Sequence, residues 1–158
     1  GVIPRLAGHG LDIYARRLPA ADASARLAQL HTPWHEEVAR ILGAARARHG
    51  AALLIDCHSM PSPTGVRPPQ IVLGDCHGLS ADPAIVQAIE DHFVQVGWRV
   101  ARNAPYAGGH TTRHHGRPAQ GLHAVQIEID RALYLDSQRI SLTAGAARVR
   151  TVLTGLVQ

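Results

Sequence analysis

Lysine is absent from the 158 residues, so all sixteen basic side chains are arginine, and aromatic residues make up only 4% of the chain. Nucleic-acid readers usually cluster Lys and Arg on one face and interleave stacking aromatics. Here the arginines are spread along the chain, with "RHHGR" the densest basic spot, so the net charge of +4 does not argue for a nucleic-acid partner. Long apolar runs are missing too: none approaches the ~18 residues a membrane helix needs, and no membrane span is expected. Cysteine is limited to Cys57 and Cys76. Cys57 falls inside an apolar segment and nothing signals secretion, so reduced cytoplasmic thiols are the expectation. An initiator Met and a charged leader are also lacking, and the chain opens on the loop-like "GVIPRLAGHG". An interior start, with an upstream portion of a longer protein absent, is the expectation.

What is present reads as one globular domain over residues 1–158, with 46% apolar residues and a single Pro-rich surface loop, "MPSPTGVRPP". A first short helix is predicted from about Asp22. A second follows from Thr32, with Thr32 as cap and Pro33 first, and with Glu36 and Glu37 at the positive end. Val38, Ile41, Leu42 and Ala45 form its buried stripe, and Gly50 ends it. Residues 51–57 have the unbroken apolar pattern of an interior strand covered on both faces. Short strands are predicted at 70–75 and 98–102, with a helix between them that starts from Asp82 and Pro83 and turns Ile85, Ile89, Phe93 and Val96 inward. A strand at about 124–131 and a last helix near 139–156, carrying Leu142, Ala146, Val149, Leu153 and Leu156, complete the order. This alternation predicts an α/β fold with a mixed, largely parallel β-sheet flanked by helices.

Open α/β sheets bind ligands outside the carboxyl ends of their strands, where "LLIDCHSMPS" places Asp56 and His58. Period-two geometry turns both to one side and Cys57 to the other. Such an imidazole can bind a metal, act as a general base or hydrogen-bond within the core. In "VQIEID", Gln126, Glu128 and Asp130 alternate with apolar residues. A solvated edge strand would explain these polar groups; alternatively, a partly buried Glu128 could take a proton from metal-activated water. The segment "NAPYAGGHTTRHHGRP", residues 103–118, gathers the only Asn of the chain with a Tyr, a Gly pair, three His and two Arg. It reads either as a binding loop or as a solvated surface loop. Gly108 and Gly109 allow close backbone approach, and Arg113 or Arg117 could clamp a carboxylate.

Taken in order, "GVIPRLAGHGLDIYARRL", "PWHEEV", "LLIDCHSMPS", "VLGD", "NAPYAGGHTTRHHGRP" and "QIEIDRALYLD" resemble the N-formylglutamate amidohydrolase family. That resemblance implies a fold like that of the zinc carboxypeptidases and aspartoacylase, with one catalytic Zn2+ at the strand ends. It implies His58 as a zinc ligand, Asp56 as the group orienting it, and Glu128 as general base. Asn103, Tyr106, Gly109 and Arg113 would contact the glutamyl part of the substrate. The implied reaction converts N-formyl-L-glutamate and water to formate and L-glutamate, as in the last step of one histidine-degradation route.

The resemblance also implies a second His, an acidic ligand and an Asn-Arg pair upstream of Gly1. Zinc needs three protein ligands in a catalytic site, so this chain alone is expected to bind the ion poorly and turn over little. Stand-in ligands from His9, His110, His114 or His115 have no H-x-x-H or H-x-x-x-H pair on a predicted helix behind them. The chain departs from the family pattern at Ala107, His110 and Asp130. Three rival readings stand beside the hydrolase: a thiol hydrolase using Cys57 or Cys76, a non-catalytic binding or regulatory remnant of the same fold, and a nucleic-acid binder, which would require steep, salt-dependent retention on DNA. The expected partner is a small N-acyl amino acid. Missing strands would leave an open sheet edge and favour a homo-oligomer.

Overall fold

The computed structural model describes residues 3–7, 10–136, 138 and 140–157; His9 lies outside the described residues. The chain divides into two compact units, Gly1–Ile41 and Leu42–Gln158, and the boundary falls inside a helix.

In the first unit, Arg26 donates a hydrogen bond to the Tyr14 hydroxyl at 2.9 Å. Helix α1 (Ala20–Arg26) begins two residues before the predicted start and runs through a π-helical turn, Leu27–His31, directly into α2 (Thr32–His49). Thr32 was expected to cap a new helix, yet its φ of −62° and ψ of −53° are helical. Pro33 explains the irregularity. It cannot donate to the preceding turn and its ring crowds a carbonyl there, and the wider π turn just upstream relieves that conflict. His31 and His35 thereby fall one turn apart on a continuous helical run, with ring centroids 4.4 Å apart. Ile41, expected inward, is 53% exposed, while Leu42 is buried.

The second unit contains β1 (Ala52–Met60), β2 (Ile71–Gly74), α3 (Pro83–Gln95), β3 (Val100–Arg102), α4 (His110–His115), β4 (Leu122–Asp130), β5 (Leu135–Asp136), β6 (Ser141–Leu142) and α5 (Gly145–Leu156). Its main sheet has the order β1-β4-β2-β3. Strands β1 and β4 run parallel, as do β2 and β3, while β2 and β4 are antiparallel. The fold is therefore α/β, with a mixed, mostly parallel sheet flanked by helices.

The two long strands exchange the roles their patterns suggest. β1, expected in the interior, is an edge among the described strands, and its Leu53 is exposed; β4, with four polar residues, lies between β1 and β2 and is buried almost throughout. An apolar run fixes neither the cover of both faces nor the pairing of both backbone edges. Polar side chains tolerate burial when they are hydrogen-bonded, and those of β4 are: Gln126 to Glu128, Asp130 to Ser62 and Ala132, and His123 to the Asp82 N–H.

Helices α3 and α5 pack together on one side. Asp82 caps α3 by accepting from the Ala84 N–H at 2.8 Å, Pro83 follows, and Gly97 closes the turn with a φ of +84°. Val86, Ile89 and Phe93 of α3 meet Ile71, Leu73, Val125, Ile127 and Ile129 of the sheet in one apolar core, joined by Val149 and Val152 of α5. Trp98 lies just before β3 and stacks on Phe93, with centroids 5.8 Å apart. Leu142, placed by its apolar spacing on the last helix, instead sits in β6 and is 72% exposed. The helix starts at Gly145, after that small hairpin. On the other sheet face, α4 packs against β4 and β1. This helix lies within the segment expected to be a loop, and it makes His110 and His114 an H-x-x-x-H pair with stacked rings 5.2 Å apart.

Candidate active site

Parallel pairing sets His58 opposite Glu128, Asp56 opposite Gln126 and Met60 opposite Asp130. Alternation along each strand directs these residues to the face that carries α4, and turns Cys57, Ile127 and Ile129 away. His58 Nε2 lies 3.0 Å from Asp56 Oδ1, and Nδ1 lies 3.9 Å from Glu128 Oε1. The first distance is that of a hydrogen bond and the second is too long for one. Asp56 thus stands beside Nε2, and Nδ1 is turned toward Glu128. The imidazole is 47% exposed and open to a small ligand, whereas Glu128 is buried.

Glu128 is held from behind. Its Oε1 accepts from Gln126 Nε2 at 2.9 Å, and Gln126 Oε1 accepts from the Gly109 N–H at 2.8 Å. Asp130 accepts from the Ser62 hydroxyl at 2.6 Å and from the Ala132 N–H at 2.9 Å, tying the loop after β1 to the end of β4. The acid at this departure from the family pattern is therefore used locally.

A backbone approach brings the 103–118 segment down onto the sheet. Gly74 is the register partner of Gln126, and a Cβ placed on it would lie 2.5 Å from the Gly108 nitrogen. Only glycine fits there. Beyond it, Cys76, His77 and Gly78 have φ values of +55°, +59° and +84°, a left-handed turn that L side chains resist. Asn103, itself at φ +58°, fastens this turn. Its Oδ1 accepts from the Asp75 and His77 N–H groups at 3.1 and 3.2 Å, and its Nδ2 donates to Asp75 Oδ1 at 2.7 Å. Cys76 N–H donates to the Ala107 carbonyl at 2.7 Å.

The residues singled out from sequence thus fall into three groups. Asp56 and Glu128 both lie beside the His58 ring, at 3.0 and 3.9 Å. Asn103 and Gly109 serve the loop's own architecture: the Asn103 amide is engaged by the 75–78 turn, the Gly109 N–H by Gln126, and the Gly109 carbonyl by the Arg113 N–H at 3.2 Å. Tyr106 is half-buried in the loop and Arg113 is exposed on α4. Sequence reasoning gave no role to Gln126, Gly74 or Asp75. The alternation that marks Glu128 also contains Gln126, and "VLGD" contains the other two.

Cys57 and Cys76 are both unpaired. Burial, followed by the Asp56 carboxylate, pushes the Cys57 thiol above its ordinary range. Cys57 also lies on the face opposite His58, and a raised thiol pKa is the reverse of what an activated thiolate needs.

A family model of N-formylglutamate amidohydrolase matches residues 1–135. The chain belongs to the N-formylglutamate amidohydrolase family. The N-formylglutamate deformylase of Pseudomonas aeruginosa is 36% identical over 145 residues, 87% of this chain and 54% of that protein. The deformylase of Pseudomonas putida is 32% identical over 143 residues, again covering 54% of its own length. A crystal structure of N-formylglutamate amidohydrolase from Ralstonia eutropha JMP134 matches with a TM-score of 0.83 at 32% identity, over 92% of this chain and 55% of that one. A protein from Agrobacterium tumefaciens shares the fold, with a TM-score of 0.71 at 24% identity, over 97% of this chain and 57% of that one. The chain spans about half the length of the curated relatives it matches.

Proposed function

We propose that this chain carries part of the catalytic centre of a zinc-dependent N-formylglutamate amidohydrolase, with N-formyl-L-glutamate as substrate. The observation that carries this reading is the cross-strand pair His58 and Glu128, backed by Asp56. Family membership supplies the substrate class, since the curated relatives are named for deformylation of N-formylglutamate.

The donors fit zinc in kind. Nδ1 of an imidazole whose other nitrogen faces a carboxylate is a typical zinc donor, and a second carboxylate stands beside it without touching it. His58 would hold the ion through Nδ1, and the remaining ligands would come from the part of the family's length that this chain does not span. Zinc bound there would polarise the formyl carbonyl and bring the pKa of water toward ~7.

Glu128 takes the proton of the attacking water as the new carbon–oxygen bond forms. It then delivers that proton to the amide nitrogen as the carbon–nitrogen bond breaks, giving formate and glutamate. Burial on a central strand holds the carboxylate in place for both transfers. Tyr106 and Arg113 are the proposed contacts to the glutamyl part, with Arg113 suited to a carboxylate. Asn103 and Gly109 shape the loop that carries them.

The test is formate release from N-formyl-L-glutamate by the protein at its encoded length, beside a Glu128→Gln variant and metal analysis of both. Zinc retained with turnover lowered about 10²–10⁴-fold is expected for loss of a general base. Undiminished formate release in the variant would remove Glu128 from the chemistry.

A further inference from the structure

Gln126 is 5% exposed in the middle of β4, where an unsatisfied amide would be costly. Both ends of its side chain are used. The Gly109 N–H can only donate, so the group it meets at 2.8 Å must be the amide oxygen, and this fixes the NH2 group on Glu128 Oε1 at 2.9 Å. The same Oε1 faces His58 Nδ1. A carboxylate's last torsion is broad and weakly held by intrinsic preference, so the Gln126 donor sets which oxygen points at the imidazole. On the other side, Gly109 is the residue from which α4 starts, and Gly74 leaves the space that lets Gly108 and Gly109 lie against the sheet.

We infer that Gln126 is a positioning residue that couples the Gly109 end of the 103–118 loop to the orientation of the Glu128 carboxylate. This rests on the reading of Glu128 as the base. Gln126 touches neither the reacting atoms nor the ion. It acts through Glu128 on one side, and on the other it anchors the start of the helix that presents Arg113.

The test compares Gln126→Met, similar in length but without the amide, with the unsubstituted protein at its encoded length. Turnover of N-formyl-L-glutamate should fall about 10–100-fold, as for other groups that orient a catalytic residue. Hydrogen exchange at the Gly109 amide should quicken at least ~10-fold as its acceptor is lost. In a Glu128→Gln background, Gln126→Met should lower the residual rate no further, because its target is already gone. A merely structural role would lower that rate again by the same factor, and this result, or slow Gly109 exchange in Gln126→Met, would overturn the inference. Should that variant not fold, Gln126→Glu keeps an acceptor for Gly109, and rapid exchange at Gly109 would then be the contrary result. No formate release from the unsubstituted protein would instead refute the functional reading, and the exchange measurement would still judge the link from Gln126 to Gly109.

Discussion

Asp56 Oδ1 sits 3.0 Å from His58 Nε2, two residues along the same strand and on the same face. On the proposed reading, that contact selects the ring nitrogen left over for a ligand. Asp56→Ala should therefore free the ring to rotate, weakening zinc retention and formate release each by about 10–100-fold. Metal titration and the formate assay on one preparation check both. Unchanged affinity and rate would mean that the ring is oriented by other contacts.

Gly74→Ala should disturb the site from beneath. The added methyl would stand 2.5 Å from the Gly108 backbone nitrogen, and backbone cannot yield as a side-chain tip does. Overpacking of this kind costs about 1–3 kcal/mol, measurable by denaturant unfolding. Hydrogen exchange at Gly109 should quicken in the same variant as the loop lifts from Gln126.

Asn103→Ala removes three hydrogen bonds and leaves an ordinary side chain at φ +58°. At about 1 kcal/mol per bond, with some compensation from water, and about 1 kcal/mol for the left-handed conformation, a loss of about 2–4 kcal/mol is expected. Asn103→Gly removes the same bonds without the conformational cost, so it should be the milder of the two. Equal unfolding midpoints for the pair would show that the backbone conformation contributes little.

Cys57 should alkylate slowly at neutral pH although the residue is exposed. Partial burial of its thiol and the Asp56 charge both favour the neutral form, so its pKa lies above the ordinary value and less thiolate exists at any given pH. The rate of iodoacetamide labelling, read by peptide mass, should climb only as pH passes beyond the usual thiol range near ~8.5. Rapid labelling at pH 7 would revive a nucleophilic role for this residue.

Much of the fold can be read from local signals, and the exceptions have physical causes. Asp82 and Pro83 announce α3 because capping and a fixed proline φ act at short range. The facing of His58 and Glu128 is legible only in halves: alternation in each strand shows which way the side chains point, but not that the strands are neighbours. β1 and β4 mislead in opposite directions because the apolar content of a strand does not reveal its place in the sheet. α4 is hidden because a helix of so few residues gains little from propensity and forms here against the sheet. Leu142 fits a helical spacing by coincidence and belongs to a hairpin. Gln126 takes no role from the sequence because it is a neutral amide, whose worth depends on partners brought together by the fold.

The pairing of β1 with β4 has a temporal consequence. The chain must complete β2, α3, β3 and α4 before β4 can lie beside β1, so the His58–Glu128 pair spans most of the second unit's topology. Contacts this remote in sequence are slow to form because loop-closure entropy is lost before they compensate it. During refolding, recovery of this pairing should accordingly trail the appearance of helical signal, and no short peptide containing either residue alone should reproduce it.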